Sequence, residues 1–313
     1  MPTFTPLRKF PLIMVCALTF CAYAHATDLK VNCNGTGALS TINGALKLLN
    51  PQGPNTLTVS GNCKENVVIQ SFDRLTLIAN PGALINDASG GTVDVITIVD
   101  SQRITIQGFT INGGGEGIIC YSHSLCRFNG NTIQGSTGDG VSISRARAEF
   151  MSNIIQNHPG RGLDVREAGE ALTDGDTIRS NGAAGVRLED GSFLFAVSST
   201  VQGNGGNGIR LTDHSTLRSR DNTITANGAN GVSLEGGSEA RFGVDVTGNV
   251  VTGNAGHGVS VNDLSFANFE SPGNSVSGNT TQPDVVCNPQ FSGERGALPT
   301  SNIGGGTTNC TEP

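Results

Sequence analysis

The chain has no tryptophan among its 313 residues, and tyrosine occurs only at Tyr23 and Tyr121. Aromatic platforms that stack on sugar rings are therefore scarce. Charged residues make up only 14% of the chain, and their balance is acidic, with a formal net charge of −7 and a pI of about 5.2. This composition argues against a nucleic-acid partner, which requires a basic surface.

Other signatures are missing as well. After residue 26, no apolar run is long enough to span a membrane, so no membrane span is predicted. No cysteine pair has the Cys-x2-Cys spacing of a zinc site, and no histidine cluster accompanies the cysteines. There is no phosphate-binding loop. The sequence therefore predicts no metal and no cofactor.

Residues 1–26 have the pattern of a secretory signal peptide. Arg8 and Lys9 form a basic start, an apolar run extends from Leu12 to Tyr23, and Ala24-His25-Ala26 fits a cleavage site. We expect a secreted or periplasmic protein. Removal of this segment leaves six of the eight cysteines, and an even number in an oxidising compartment indicates disulfides. Proximity along the chain favours the pairs Cys33–Cys63, Cys120–Cys126 and Cys287–Cys310.

What the chain has in abundance is glycine, with 44 residues, and much of it is periodic. A short apolar-polar-apolar segment follows a glycine every 22 to 27 residues, at Gly140, Gly162, Gly185, Gly208, Gly231 and Gly258. A second marker, an Asn or Asp followed by two residues that are mostly Thr, Ile or Val, recurs between these segments, at Asn131, Asn153, Asp176, Asn222, Asn249 and Asn274. Self-similarity at a fixed period is typical of repeat architectures.

Each repeat is too short for a strand with a crossover helix, and none contains a helical apolar stripe. The alternating pattern instead predicts short strands joined by tight turns, with successive coils stacked about 4.8 Å apart. We expect the leading glycines to supply positive φ and the asparagines to hydrogen-bond to their copies in neighbouring coils. A further inward row is predicted from Phe128, Phe150, Phe242 and Phe269.

This pattern resembles the right-handed parallel β-helix repeat of the pectin-lyase-like superfamily, over roughly Thr56 to Thr280. The resemblance implies an all-β fold, a single right-handed parallel β-helix (solenoid). It says little about function, because lyases, hydrolases, epimerases and adhesins share this scaffold. We expect a leader at 1–26, an N-terminal cap at 27–56, the β-helix at 57–280 and a C-terminal cap at 281–313. A short capping helix is predicted between Leu39 and Leu49, with Ser40 or Thr41 as its N-cap.

The catalytic motifs that the resemblance would imply are not found. A hydrolase of the polygalacturonase type would need four motifs, of which only Gly256-His257-Gly258 is present, and this slot belongs to the repeat. The Arg-x-Pro-x-x-Arg of pectate lyases and the Asp-Pro-His-Asp of alginate epimerases are absent. The sequence thus leaves open whether the protein is an enzyme.

The remaining functional signal lies on the strands that follow the glycines. Positions two and four of these strands should point outward, and in the central coils they carry charge. The candidate ligand-binding residues are Asp164, Arg166, Arg187, Glu189 and Arg210. Arginines on such a face suit the carboxylates of an acidic polysaccharide. Opposite charges on adjacent strands are equally an ordinary way to cover a parallel sheet. The alternatives are therefore a secreted protein that binds or acts on a polysaccharide, a structural or interaction module of the cell envelope or surface, and a repeat protein with a partner along its side.

Overall fold

The fold is that of a computed structural model of the full chain, in which residues 26–244, 247–270, 272–288, 297–298 and 302–310 are described. The predicted leader lies outside the described residues except for its last residue. The boundaries predicted for the leader and the two caps remain predictions.

The chain winds into a solenoid in which each coil gives one strand to each of three parallel sheets. We call these sheet 1, sheet 2 and sheet 3 in the order in which a coil visits them. Sheet 1 consists of β1 (Thr27–Asn32), β2 (Asn55–Ser60), β5 (Leu75–Ala79), β8 (Ile104–Gln107), β11 (Leu125–Asn129), β14 (Arg147–Met151), β17 (Glu170–Asp174), β20 (Phe193–Val197), β23 (Thr216–Arg220), β26 (Glu239–Phe242), β29 (Phe266–Phe269) and β32 (Ala297–Leu298).

The strands of sheet 2 are mostly three residues long. They are β3 (Asn62–Lys64), β6 (Leu84–Asn86), β9 (Thr110–Asn112), β12 (Thr132–Gln134), β15 (Ile154–Gln156), β18 (Thr177–Arg179), β21 (Thr200–Gln202), β24 (Thr223–Thr225), β27 (Val250–Thr252) and β30 (Ser275–Val276). Sheet 3 contains the strands that follow the periodic glycines and their counterparts in the first and last coils. They are β4 (Val67–Gln70), β7 (Ile96–Val99), β10 (Ile118–Tyr121), β13 (Val141–Ser144), β16 (Leu163–Arg166), β19 (Val186–Leu188), β22 (Ile209–Leu211), β25 (Val232–Leu234), β28 (Val259–Val261) and β31 (Val285–Cys287).

Strict register keeps like side chains together in the interior. Ile155 pairs with Ile133 and Ile178 in sheet 2, and all three are buried. The predicted phenylalanine row is confirmed, because Phe128 and Phe150 are fully buried with ring centroids 5.1 Å apart. Phe242 and Phe269 are also fully buried, and their rings stack more nearly parallel, with centroids 4.9 Å apart. The core is therefore a series of side-chain columns that run along the solenoid axis.

Two ladders of buried amides hold the turns on either side of sheet 2. In the first, Asn131 Nδ2 donates to Asn153 Oδ1 over 3.0 Å, and Asn153 Nδ2 donates to Asp176 Oδ1 over 2.8 Å. In the second, Asn204 Nδ2 donates to Asn227 Oδ1 over 2.9 Å, and the pattern repeats through the neighbouring coils. The asparagine ladder expected from the repeat is thus confirmed.

The leading glycines have a different role from the one expected, because they do not adopt positive φ. At Gly185, a Cβ atom would lie 2.5 Å from Val201 Cγ1 and 2.8 Å from the carbonyl oxygen of Gly208. Glycine is required here because the chain passes closely over sheet 2 and the next coil. Positive φ occurs instead at nearby turn residues such as Ser152 and Asn157.

The capping helix is shorter than predicted. It comprises α1 (Ile42–Leu46), preceded by a 3₁₀ turn at Ala38–Ser40, and Thr41 is its N-cap. Ile42 and Leu46 are buried, but Leu39 is 37% exposed because it precedes the helix rather than lying on its apolar face. The Glu65 carboxylate accepts the backbone N–H groups of Ile42 (2.7 Å) and Asn43 (2.9 Å), which fixes α1 to the first coil.

Three disulfides join Cys33 to Cys63, Cys120 to Cys126 and Cys287 to Cys310. These are the pairs that proximity along the chain favoured. The first and last bonds lie at the two ends of the solenoid, where a repeat array has one neighbour fewer to stabilise it.

Candidate functional site

The outer face of sheet 3 brings three of the five predicted charged residues into one column. Asp164 pairs in register with Ser142 on one side and Arg187 on the other, and Arg187 pairs with Arg210. The alternate residues of the same strands, such as Leu163, are buried in the core. The predicted inside and outside positions are therefore correct.

Asp164 is fully buried although it lies on the outer face. Arg187 donates to it through two nitrogens, Nε to Oδ1 over 2.7 Å and Nη2 to Oδ2 over 3.0 Å. Arg187 Nη2 also contacts Glu189 Oε1 at 2.6 Å. Burial would lower the pKa of Arg187, but the hydrogen bonds and negative charge of Asp164 raise it above its usual value. This bidentate pair is an ordered part of the sheet surface.

Arg187 and Arg210 lie side by side in the register but turn in opposite directions. Arg210 Nη2 contacts Glu235 Oε2 at 2.7 Å, one coil further on, whereas Arg187 reaches back to Asp164. Each guanidinium is thus neutralised by a carboxylate on the side that faces away from the other arginine. The repulsion between the two arginines is therefore offset within the chain.

Arg166 is the arginine of this face with the fewest contacts. Within the described residues it makes one long contact, of 3.4 Å from Nη1 to Asp164 Oδ2, and its side chain is 31% exposed. Glu189 does not pair with Arg166, because its carboxylate is occupied by Arg187. Most of the five N–H donors of Arg166 therefore remain available to a ligand.

Glu116, which was missed in the sequence, lies beside this arginine. Burial raises the pKa of Glu116 to about 7, nearby Asp94 and Asp139 add to the rise, and Ser142 and Arg166 oppose it. Glu116 Oε2 and Ser142 Oγ are both buried, and neither has a well-aligned hydrogen bond among the described residues, although the Ser142 hydroxyl is close enough to the Glu116 carboxyl to lower its pKa. Ser142 itself is fully buried. Unpaired buried polar atoms are unusual in native proteins, so this pair marks a place for an external polar group.

A sequence signal could have found Glu116. It precedes Gly117, as Asp139 precedes Gly140 and Arg161 precedes Gly162, so the turn before each sheet 3 strand presents one side chain to the rim of the face. Arg161 and Asp139 form an ion pair on this rim, with Nη1 and Oδ2 3.0 Å apart. The repeat marker identified the glycine but not the residue before it.

Two histidines near the face have structural positions. His158 is buried in the second amide ladder, where its backbone N–H donates to Asn181 Oδ1 over 3.2 Å. Burial lowers its pKa to about 4, so it is neutral at physiological pH. His257 Nδ1 lies 2.7 Å from the Pro283 carbonyl oxygen, and its backbone N–H donates to Asn230 Oδ1, as its repeat slot predicts.

One group of potential metal ligands converges within the described residues, namely Cys33, Cys63 and Glu65. Its two sulfur atoms are joined in a disulfide and Glu65 accepts the N–H groups of α1. These atoms are therefore committed to other bonds. Among the described residues, no helix has the length and hydropathy needed to cross a membrane.

Comparison with known proteins supports this fold. A family model described as "Right handed beta helix region" matches residues 94–243, which include the whole charged column. The chain is a right-handed parallel β-helix repeat protein with the pectin-lyase-like fold.

Solved structures similar to this β-helix protein include pectate lyase Pel9A, with a TM-score of 0.62 and 12% identity over 86% of this chain and 81% of that chain. The A-module of mannuronan C-5 epimerase AlgE4 from Azotobacter vinelandii has a TM-score of 0.58 and 14% identity over 80% of this chain and 86% of that one. At these identities the likeness establishes the fold alone.

A curated relative is named "Cell surface glycoprotein", from Methanothermus fervidus. It is 32% identical to the β-helix protein over 131 residues, which are 41% of this chain and 21% of the relative. The matched region thus spans about a fifth of the relative's length.

Proposed function

We propose that this protein is exported and binds an acidic polysaccharide along the outer face of sheet 3. The observation that carries the proposal is Arg166, whose donors are largely unused, beside the unpaired buried atoms of Glu116 and Ser142. A guanidinium suits a uronate carboxylate, and a sugar hydroxyl can both donate and accept, as the neighbouring carboxyl and serine require.

The direction of the ligand follows from the solenoid. Neighbouring strands of sheet 3 lie about 4.8 Å apart, and the outward side chains change from Ile119 and Tyr121 to Ser142 and Ser144 and then to Asp164 and Arg166. A linear polymer that runs parallel to the solenoid axis meets each of these pairs in turn. Tyr121 is half-buried one coil before Ser144 and offers a ring face for a sugar.

Two further findings support the proposal without establishing it. Pectate and mannuronan, in the names of two structural neighbours, are polymers of uronate residues. Three disulfides and a relative named as a surface glycoprotein favour an extracellular or surface location. Binding is proposed rather than catalysis, because the catalytic motifs of the resembled enzymes are absent from the sequence.

The second candidate function is that of a non-catalytic structural or interaction module of the cell surface. The name of the curated relative favours it. So does the pairing of Arg187 and Arg210 within the chain, since arginines that are already neutralised gain less from an external carboxylate.

Binding to polygalacturonate and to alginate, measured by calorimetry with dextran as a neutral control, tests the proposal. Arg166→Ala should weaken binding at least tenfold, the effect of roughly 1.4 kcal/mol for one lost charge-assisted contact. The matched control is Arg127→Ala on sheet 1, an exposed arginine paired with Glu149, and it should bind as the wild type does. Equal affinity in the wild type and Arg166→Ala would contradict the proposed site.

Incubation of the protein with both polymers, with and without calcium, distinguishes catalysis from binding. Absorbance at about 235 nm reports the unsaturated product of β-elimination, and a reducing-end assay reports hydrolysis. We expect binding and no product. No binding to any glycan would favour the structural module.

A further inference from the structure

The outer face of sheet 1 carries a second surface that the proposed polysaccharide site does not use. In β20, Phe193, Phe195 and Val197 all point outward and are half-buried, whereas Leu194 and Ala196 between them are buried in the core. In a strand with one face in solvent, the outward residues are normally polar and alternate with apolar inward residues. Three consecutive outward positions that are all apolar are therefore unusual. Contiguous apolar surface of this kind marks an interaction site.

Neighbouring strands extend the apolar centre and surround it with charge. Leu172 of β17 is half-buried next to Phe195, and Met151 of β14 is 40% exposed. Arg218 and Arg220 of β23 lie over the Phe195 ring, with guanidinium carbons 5.4 and 5.3 Å from its centroid. An aromatic centre within a ring of charges is the usual composition of a protein–protein interface.

The charges on either side of β20 are opposite in sign at matching positions. Sheet register defines three outward columns, through Phe193, Phe195 and Val197, and the first two carry charges two strands away. Two strands before β20, β14 presents Arg147 and Glu149 in these columns. Two strands after β20, β26 presents Glu239 and Arg241. The face is therefore electrostatically complementary to a copy of itself that is reversed about β20.

The same reversal matches the remaining strands. One strand away, Asp174 of β17 corresponds to Arg220 of β23 in the column through Val197. Three strands away, Leu125 of β11 corresponds to Phe266 of β29, and both are half-buried. Acidic residues thus meet basic ones at three positions and Leu125 meets Phe266, whereas Leu172 meets Arg218, and Glu170 and Arg127 meet the uncharged Thr216 and Asn268.

We infer that sheet 1 mediates a homodimer in which two copies pack face to face about a two-fold axis parallel to β20, with their solenoid axes antiparallel. Phe195 meets Phe195 of the second copy, β14 faces β26, and β26 faces β14, as an isologous interface requires. Arg147 then lies opposite Glu239 of the second copy, and Glu149 lies opposite its Arg241. Complementary charges of this kind fix the register of an interface.

The other face-to-face two-fold arrangement is disfavoured by the same charges. A two-fold axis parallel to the solenoid axis would place each strand opposite its own copy. In the column through Phe195, Arg127, Glu149, Arg218 and Arg241 would each oppose an identical residue. Like charges juxtaposed at an interface are repulsive, so only the antiparallel arrangement fits.

The size of the face sets the expected strength. Seven strands span about 29 Å, and each is about five residues wide, which is smaller than the roughly 800 Å² per partner of a standard interface. The intrachain pairs that flank the centre are themselves exposed, as for Arg147 and Glu170 at 3.7 Å. We therefore expect a dimer with a micromolar dissociation constant rather than a permanent one.

A charge-swap experiment on the full chain tests the inference. Sedimentation is measured from about 1 to about 500 µM, a range that brackets a micromolar constant. The wild type should approach twice the mass of one chain. Glu149→Arg alone and Arg241→Glu alone should each remain monomeric, because each places like charges opposite one another. An equimolar mixture of the two variants should recover the twofold mass, because both contacts are then complementary.

The control is Arg179→Glu on sheet 2, which changes the net charge by the same amount as Arg241→Glu but on a different face, and it should dimerise as the wild type does. Circular dichroism and thermal melting of each variant establish that it is folded. As a second readout, Val197→Cys should form an interchain disulfide with itself on oxidation, and Asp174→Cys should not. A monomeric wild type over the whole range, or variants whose mixture stays monomeric while both are folded, would overturn the inference.

Discussion

The outer faces of sheet 1 and sheet 3 both carry arginines beside carboxylates, but they differ in burial. On sheet 3, Asp164 is fully buried and held by two hydrogen bonds from Arg187. On sheet 1, the side chains of Arg127 and Glu149 are 55% and 26% exposed. Register alone creates opposite-charge neighbours on either face. Burial decides whether such a pair is a fixed part of the structure or one that solvent and partners can replace.

The comparison also shows which groups of each face carry the proposed contacts with other molecules. Among the described residues of sheet 3, the informative atoms are those without a well-aligned hydrogen bond, Glu116 Oε2 and Ser142 Oγ, together with the little-used Arg166. On sheet 1 they are apolar side chains at outward positions of β20. A charged column by itself therefore says less about function than the groups that remain unsatisfied beside it.

The largest expected effect comes from the loss of the buried carboxylate. Asp164→Ala should destabilise the protein by about 3–5 kcal/mol, because it leaves Arg187 partly buried beside a cavity and without its main partner. Urea unfolding followed by circular dichroism measures the change. If the loss is below about 1 kcal/mol, burial does not distinguish the two faces.

The Asp176 carboxyl lies inside the first amide ladder and not on either outer face. It therefore tests whether burial alone determines how strongly a carboxyl affects stability. Burial raises the pKa of Asp176 to about 6, against hydrogen bonds from Asn153 that favour the ionised form. Because the folded pKa lies above the unfolded value, this residue contributes stability that is full below about pH 4 and is lost as pH rises through about 6.

Asp176→Asn should remove this pH dependence. At neutral pH it should raise the free energy of unfolding by on the order of 2 kcal/mol, because removal of the buried charge outweighs the loss of the acceptor for the Asp174 N–H, which donates to Asp176 Oδ2 over 3.0 Å. Thermal melting from about pH 4 to about pH 8 compares the variant with the wild type. Parallel pH profiles for the two proteins would rule out Asp176 as the source.

A smaller effect is expected for ligand binding at sheet 3. Glu116 has a folded pKa of about 7, above its unfolded value, so it loses its proton as pH rises through neutrality. The new negative charge lies beside Arg166, and binding of a uronate polymer should weaken roughly fivefold from about pH 6 to about pH 8. Glu116→Gln should bind equally at both pH values. A pH dependence that persists in Glu116→Gln would assign the effect to another group.

The smallest effect is expected on sheet 1. Glu149→Ala in the monomer should change the free energy of unfolding by less than about 1 kcal/mol, because its ion pair with Arg127 is largely exposed. Added salt should weaken this contribution further. The measurement is made at about 1 µM, below the expected dimer constant, so that association does not contribute. A cost as large as that of Asp164→Ala would remove the contrast between the faces.

Much of the fold could be predicted from the repeat. The spacing of the glycines and asparagines predicted stacked coils, and the apolar alternation predicted that Leu163 points inward and Asp164 outward, because a strand has a side-chain period of two. The phenylalanine row followed from the same register. The reason for the leading glycines could not be read from the sequence, because the close approach at Gly185 is made by Val201 and Gly208, one coil away.

The positions of the charged residues on sheet 3 could be predicted from the sequence, but their contacts could not. Arg187 and Arg210 were correctly placed side by side, yet a long side chain can turn to either neighbouring coil, and the choice depends on which carboxylate is buried there. Glu116 was missed because it lies in a turn outside the strand pattern. The outward position of Phe195 was not recognised because the apolar run Phe193–Val197 has no polar alternation to mark its two faces.

The coil length, the inward residues and the columns into which side chains fall all follow from the sequence, because they depend on periodicities within one chain segment. The folded coils are needed to show which outward residues are buried, which arginine has unused donors and which apolar side chains face solvent. Those properties depend on groups from coils more than 20 residues apart, such as Asp164 and Arg187 with a separation of 23, and they arise only when the coils are stacked.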